Sequence, residues 1–96
     1  MSTVRKFKRN KLALGLFGSN CDGGLACSTF PDRWEATWEN CRELAVSADA
    51  AGIDFMLPLG RWIGYGGETN HNGSNFETIT WAAGLLAVTK NIMAFG

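Results

Sequence analysis

Arg61 stands where a side chain can do the most chemistry. It follows Gly60, three residues after Pro58, at the end of the apolar run Ile53-Asp54-Phe55-Met56-Leu57-Pro58. A guanidinium delivered there offers a rigid fork of donors to a carboxylate, a phosphate or a carbonyl. The alternative is a structural ion pair with Asp54, Glu68 or Glu77, and the sequence leaves the two open. The glycine-rich stretch Gly64-Tyr65-Gly66-Gly67-Glu68-Thr69 follows directly. It lacks the spacing of a P-loop, and Glu68 stands where the phosphate-binding lysine would be, so nucleoside triphosphate binding is not expected.

Other reactive residues are few. His71 is the single histidine and sits in Asn70-His71-Asn72-Gly73, a polar, turn-forming tip expected to face solvent. No Ser/His/Asp arrangement is visible, and no pair of carboxylates is spaced for glycoside chemistry. No catalytic residue is therefore named. The three cysteines, Cys21, Cys27 and Cys41, are odd in number and have no C-x-x-C spacing. With one histidine they are not expected to form a metal site. Cys41 falls on an apolar helical stripe and is expected in the core, while Cys21 and Cys27 lie in a loop and are candidates to line a pocket.

The elements that must position these residues alternate. Leu12-Ala13-Leu14-Gly15-Leu16-Phe17 is apolar on both faces, as strands of a parallel sheet covered on both sides are. A long loop follows, from Gly18 to about Pro31. Asp32 with Glu35 predicts a helix start of the capping-box kind. Trp34, Trp38, Cys41, Ala45 and Ala48 form the helix's buried stripe. Gly52 predicts a left-handed stop, with the second strand Ile53–Pro58 immediately after it. A second long loop, Leu59 to Gly73, leads to Ser74 and Glu77, another S-x-x-E start. The second helix, running to about Thr89, is apolar nearly all round and should be covered on more than one side. Asn91 closes it, and Ile92-Met93-Ala94-Phe95 starts a third strand. The expectation is an α/β fold in β-α-β-α-β order with parallel strands. Both strand-to-helix loops are long and both helix-to-strand turns short, which points to a site at the carboxyl ends of the strands.

At 96 residues, 46% hydrophobic and 19% charged, the chain can bury the core of one small domain. A formal net charge of +0 argues against a general nucleic-acid or membrane-surface role. Arg5, Lys6, Lys8, Arg9 and Lys11 nevertheless crowd the start, so residues 1–10 are read as a basic arm, either simply solvated or steering anions. The apolar run behind the arm is short, is broken by Gly15 and has no A-x-A site, so no signal peptide is expected. Without a membrane-spanning stretch the chain is expected to be cytoplasmic.

Taken together, Leu14-Gly15-Leu16-Phe17-Gly18, Asn20, Gly23-Gly24 and Asp32-Arg33-Trp34 carry a resemblance. So do Asp54 to Trp62, Gly64 to Thr69, Phe76-Glu77-Thr78 and Ala82-Ala83-Gly84-Leu85. They resemble the N-terminal part of bacterial luciferase-like flavin monooxygenases of the dimethyl-sulfone, alkanesulfonate and pyrimidine monooxygenase type. The resemblance implies a (β/α)8 TIM barrel that uses FMN reduced by a separate NAD(P)H-dependent flavin reductase. It implies molecular oxygen as co-substrate and a small organic substrate, such as a sulfone, a sulfonate or a pyrimidine. Carried over by position, Gly60 and Arg61 would lie against the flavin, and Asn20, Cys21, Trp62 and Tyr65 toward the substrate. A whole barrel needs about 250 residues and eight strands. The chain is thus expected to be a single incomplete α/β domain, residues 11–96 forming the first three strands and two helices. An open parallel edge would invite homo-oligomerisation, so a self-associating non-catalytic module is the alternative.

Overall fold

The computed structural model describes residues 12–96, so the basic arm expected at 1–10 lies outside the described residues. The elements run β1 (Gly15–Phe17), α1 (Trp38–Ala51), β2 (Phe55–Leu57), α2 (Thr78–Val88) and β3 (Met93–Ala94). The strands form one sheet in the order β1-β2-β3, parallel throughout. Gly15, Leu16 and Phe17 pair with Phe55, Met56 and Leu57, while Phe55 and Met56 pair with Met93 and Ala94. The expected order and strand direction therefore hold, with every strand shorter than its apolar run.

Register divides the side chains between two faces. Leu16, Met56 and Ala94 share the inner face and meet Cys41, Ala45 and Ala48 of α1 and Trp81, Ala82 and Leu85 of α2. Met56, Cys41 and Ala45 are wholly buried there. Phe17 and Leu57 belong to the other face and are about half exposed. Phe55 also lies on that face, edge-to-face with Phe95 at 5.8 Å. Helices thus cover one side of the sheet, not both as the apolar runs predict. The outward side of α2 is open too, with Ile79 68% and Leu86 50% exposed, against the expectation of cover on several sides.

Both helix starts differ from their sequence signals, for one reason. The expected start at Asp32 is displaced because Asp32 lies in a turn, Arg33 at a bend, and residues 34–37 are held outside the helix. The Trp34 indole Nε1 donates to Ser19 O at 2.7 Å, and Ala36 N donates to Asp22 Oδ1 at 2.7 Å. Trp34 consequently leaves the helical stripe, and Thr37 becomes the cap, its hydroxyl accepting from Asn40 N at 3.1 Å. Ser74 likewise does not begin α2. Asp22 N donates to Ser74 O and Phe76 N to Asn20 O, and Asn75 bridges Cys21. Glu77 is the cap instead.

The remaining joints follow the sequence. Gly52, at φ 85°, stops α1, and Ile53 N donates back to Ala48 O at 3.0 Å. The turn into β3 is pinned by Asp49, whose carboxylate accepts from Lys90 N, Asn91 N and Ile92 N at 2.7–3.0 Å. Among the described residues no helix is long and apolar enough to cross a membrane.

Candidate functional site

The two strand-to-helix loops meet at the carboxyl end of the sheet, and Asn20 joins them. Its Nδ2 donates to Leu59 O at 2.9 Å and to Phe76 O at 3.0 Å, while Leu59 N donates to its Oδ1 at 2.9 Å. Asn20 is entirely buried, and three hydrogen bonds serve its amide. This clip fixes where Gly60 and Arg61 leave the strand. Cys21, also fully buried, lies alongside with its Sγ 3.7 Å from Leu59 O. Burial pushes its thiol up, with the positive charge of Arg61 opposing.

Beyond the clip a cleft of about 630 Å³ opens to solvent. Gly60, Arg61 and Trp62 form one wall, and Gly73 to Thr78 at the start of α2 form the other. Its size is within the range of small-molecule sites. Trp62 stands fully exposed at the edge. Arg61 makes no ion pair with Asp54, Glu68 or Glu77. Its Nε donates to Ile63 O at 3.0 Å, and its guanidinium lies 3.9 Å from the centroid of the Tyr65 ring. Two of these carboxylates are otherwise engaged: Asp54 accepts from Leu14 N, and Glu77 caps α2. The Nη groups have no protein partner among the described residues and are free to meet a ligand in the cleft.

Glu77 sets the opposite polarity across the cleft. Ile79 N donates to its carboxylate at 2.7 Å, and Thr80 contributes N and Oγ1. These bonds favour the charged form and lower its pKa to about 2. The first amides of α2 are therefore occupied by a carboxylate, which would repel a phosphate at that helix end.

Gly60 and Arg61 emerge at one rim with the Asn20 loop, as expected, and Trp62 lies beside them on the same wall. Tyr65 is not on the cleft wall but flanks Arg61, and Cys21 is sealed beneath. His71 corrects an expectation: it is 7% exposed, not solvent-facing. Its ring stacks on Tyr65 at 5.4 Å and 18°, and Gly23 lies close to its Nδ1 edge. Glu77 and Phe76 were read only as helix-start residues. Their place on the wall follows from the same loop contacts that shorten α2. Among the described residues no group of His, Cys, Asp and Glu comes together to hold a metal ion.

A parallel α/β sheet with a cleft at the strand ends is the class defined by fold and site. No family model matches the chain. Among curated proteins it is similar to pyrimidine monooxygenase RutA of Variovorax paradoxus, 32% identical over 82 residues, which are 85% of this chain and 22% of that protein. The protein of the same name from Shigella flexneri is 31% identical over 93 residues, covering 97% and 24%. That of Escherichia coli is 30% identical over the same length and shares. The chain spans about a quarter of the length of the curated relatives it matches.

Proposed function

We propose that the chain is the N-terminal portion of a luciferase-like, flavin-dependent monooxygenase whose ring-binding rim is the cleft beside Arg61. One observation carries the reading: the Asn20 loop and the Gly60–Arg61 step emerge together at the carboxyl end of a parallel sheet. Similarity to proteins named pyrimidine monooxygenase, over nearly the whole chain, supports it and favours a pyrimidine over a sulfone or sulfonate as substrate. The open sheet face with Phe17, Phe55 and Leu57 is what the inside of an incomplete barrel would present.

The cleft suits a flavin ring better than a flavin phosphate. Arg61 supplies donors for ring carbonyls and Trp62 an aromatic surface, while the anionic Glu77 disfavours a phosphate at α2. FMN, reduced by a separate NAD(P)H-dependent reductase, would supply the activation of molecular oxygen when bound. The protein's share of the work is to orient the ring through Gly60 and Arg61 and to keep water from it. Asn20 holds the two loops in the spacing this needs, with Cys21 packed beneath. Trp62 stands on the side from which a substrate would approach, and Tyr65 backs Arg61 rather than facing the cleft.

Titration of the purified chain with FMN, followed by flavin fluorescence, tests the reading. Saturable quenching that Arg61→Ala weakens is expected. Unchanged fluorescence up to high micromolar chain would overturn it.

A second reading has its own observation. Phe17, Leu57 and Phe95 on the open sheet face are exposed, as are Ile79 and Leu86 on the outward side of α2, and large exposed apolar residues favour association. In that case the chain is a non-catalytic module that forms homo-oligomers. Sedimentation decides this: a well-behaved monomer at tens of micromolar would dismiss the module.

A further inference from the structure

Arg61 and His71 both pack against the Tyr65 ring. The guanidinium lies over one face of the Tyr65 ring at 3.9 Å, and His71 lies nearly parallel on Tyr65 at 5.4 Å and 18°. Tyr65 N donates to His71 O at 3.0 Å, so the two rings are tied through the backbone as well. His71 is buried, and its Nδ1 has no hydrogen-bond partner among the described residues. A Cβ on Gly23 would come within 3.1 Å of that nitrogen and 3.2 Å of Ala26 O, so a larger residue there would crowd the ring. Gly23 also adopts φ 80°, which favours glycine independently.

A buried imidazole with an unpartnered nitrogen is an unfavourable choice for mere filling. Its flat ring does one thing an aliphatic residue would not: it gives Tyr65 a parallel seat. Tyr65 itself is 67% exposed and would otherwise be free to turn. Arg61 depends on that ring, because its one side-chain hydrogen bond among the described residues uses Nε, to Ile63 O. A long side chain on a solvent-exposed rim loses affinity for a ligand when it must be ordered on binding. The stack removes that cost in advance.

We infer that Tyr65 and His71 are positioning residues that hold the Arg61 guanidinium across the cleft, with Gly23 of the first loop at the imidazole edge. The inference deepens the flavin reading and rests on it for the ligand, but the stack itself is testable without one. Tyr65 then acts through Arg61, and its hydroxyl has no part in binding.

The experiment has two arms on the full chain. In the first, the Arg61 Nε–H resonance is followed by NMR. A ring-current shift to high field is expected in the wild type, in Tyr65→Phe and in His71→Phe, and should be lost in Tyr65→Leu and reduced in His71→Ala. An Arg61 resonance indifferent to Tyr65→Leu overturns the inference whether or not FMN binds. In the second arm FMN affinity is measured. Tyr65→Leu and His71→Ala should each weaken it about three- to fivefold, the worth of an exposed cation–π contact, while Tyr65→Phe restores it. In an Arg61→Ala background Tyr65→Leu should have no further effect. Additive losses, or a Tyr65→Phe variant as weak as Tyr65→Leu, would mean direct ligand contact and overturn the inference. Absent FMN binding in a chain that keeps its Arg61 shift rejects the flavin reading alone.

Discussion

Asn20 and Leu59, 39 residues apart in sequence, exchange two hydrogen bonds of 2.9 Å, side-chain amide to backbone amide. The side chain of Asn20 thus behaves as one more rung of the sheet just beyond the last paired residues, Phe17 and Leu57. It locks the start of the second loop to the first, and the third bond, to Phe76 O, adds the entry to α2.

Replacing Asn20 should therefore damage both stability and the cleft. Asn20→Ala leaves Leu59 O, Leu59 N and Phe76 O without their partner, at about 1–3 kcal/mol for each buried group left unsatisfied. Asn20→Asp keeps the acceptor for Leu59 N but turns a carboxylate oxygen toward two carbonyls, and it should be no better than alanine at neutral pH. Urea unfolding monitored by tryptophan fluorescence measures this. A loss below about 0.5 kcal/mol, the usual surface effect, would contradict the clip.

The order of elements was legible because apolar runs and Gly52 punctuate the chain locally. The shared rim followed from loop lengths alone. What misled was tertiary competition for backbone amides. Asp32-x-x-Glu35 and Ser74-x-x-Glu77 are both good local start signals, but Asp22 and Asn20 reach across to take the amides of Ala36 and Phe76, and Ser19 O holds the Trp34 indole. His71 misled differently. Its polar neighbours suggested solvent, and only the folded loop reveals Tyr65 on its face and Gly23 at its edge. The continuous apolar runs could not tell a sheet covered on both faces from one whose second face is left open.

The displaced start of α1 gives a discriminating pair of substitutions. Thr37→Ala removes the hydroxyl that receives Asn40 N and should cost about 1 kcal/mol, as lost N-caps do. Asp32→Ala, at the position favoured by the sequence pattern, touches no helix amide and should stay within about 0.5 kcal/mol of the wild type. Thermal or urea unfolding of the two variants side by side checks it. Equal losses would restore the earlier start.

Thiol chemistry should separate the cysteines sharply. Cys27 is exposed, whereas Cys21 and Cys41 are buried and burial raises the pKa of both. An aromatic disulfide reagent at pH 7.5 should modify one thiol quickly. The other two should react on the order of a hundredfold more slowly, since they need local opening and deprotonation in turn. Cys27→Ser should abolish the fast phase, and denaturant should make all remaining thiols equivalent. Two fast thiols in the native chain would show that the floor under Leu59 is open.

Glu77 should make stability depend on acid in a defined window. Folding lowers its pKa from 4.5 to about 2, chiefly through the Ile79 amide and then the Thr80 hydroxyl and amide. The unfolded chain binds the proton more readily, so this contribution is present in full above about pH 5. It declines as pH falls toward 2 and is absent below that value. Glu77→Gln keeps an oxygen to accept the amides but carries no charge toward the helix end. The wild type should therefore have the higher urea midpoint at pH 7, and the two midpoints should converge between pH 5 and 2. A gap that persists undiminished at pH 2 would mean that the charge of Glu77 contributes nothing. The cap would then act through shape alone, and the electrostatic objection to a phosphate at this end of the cleft would fall with it.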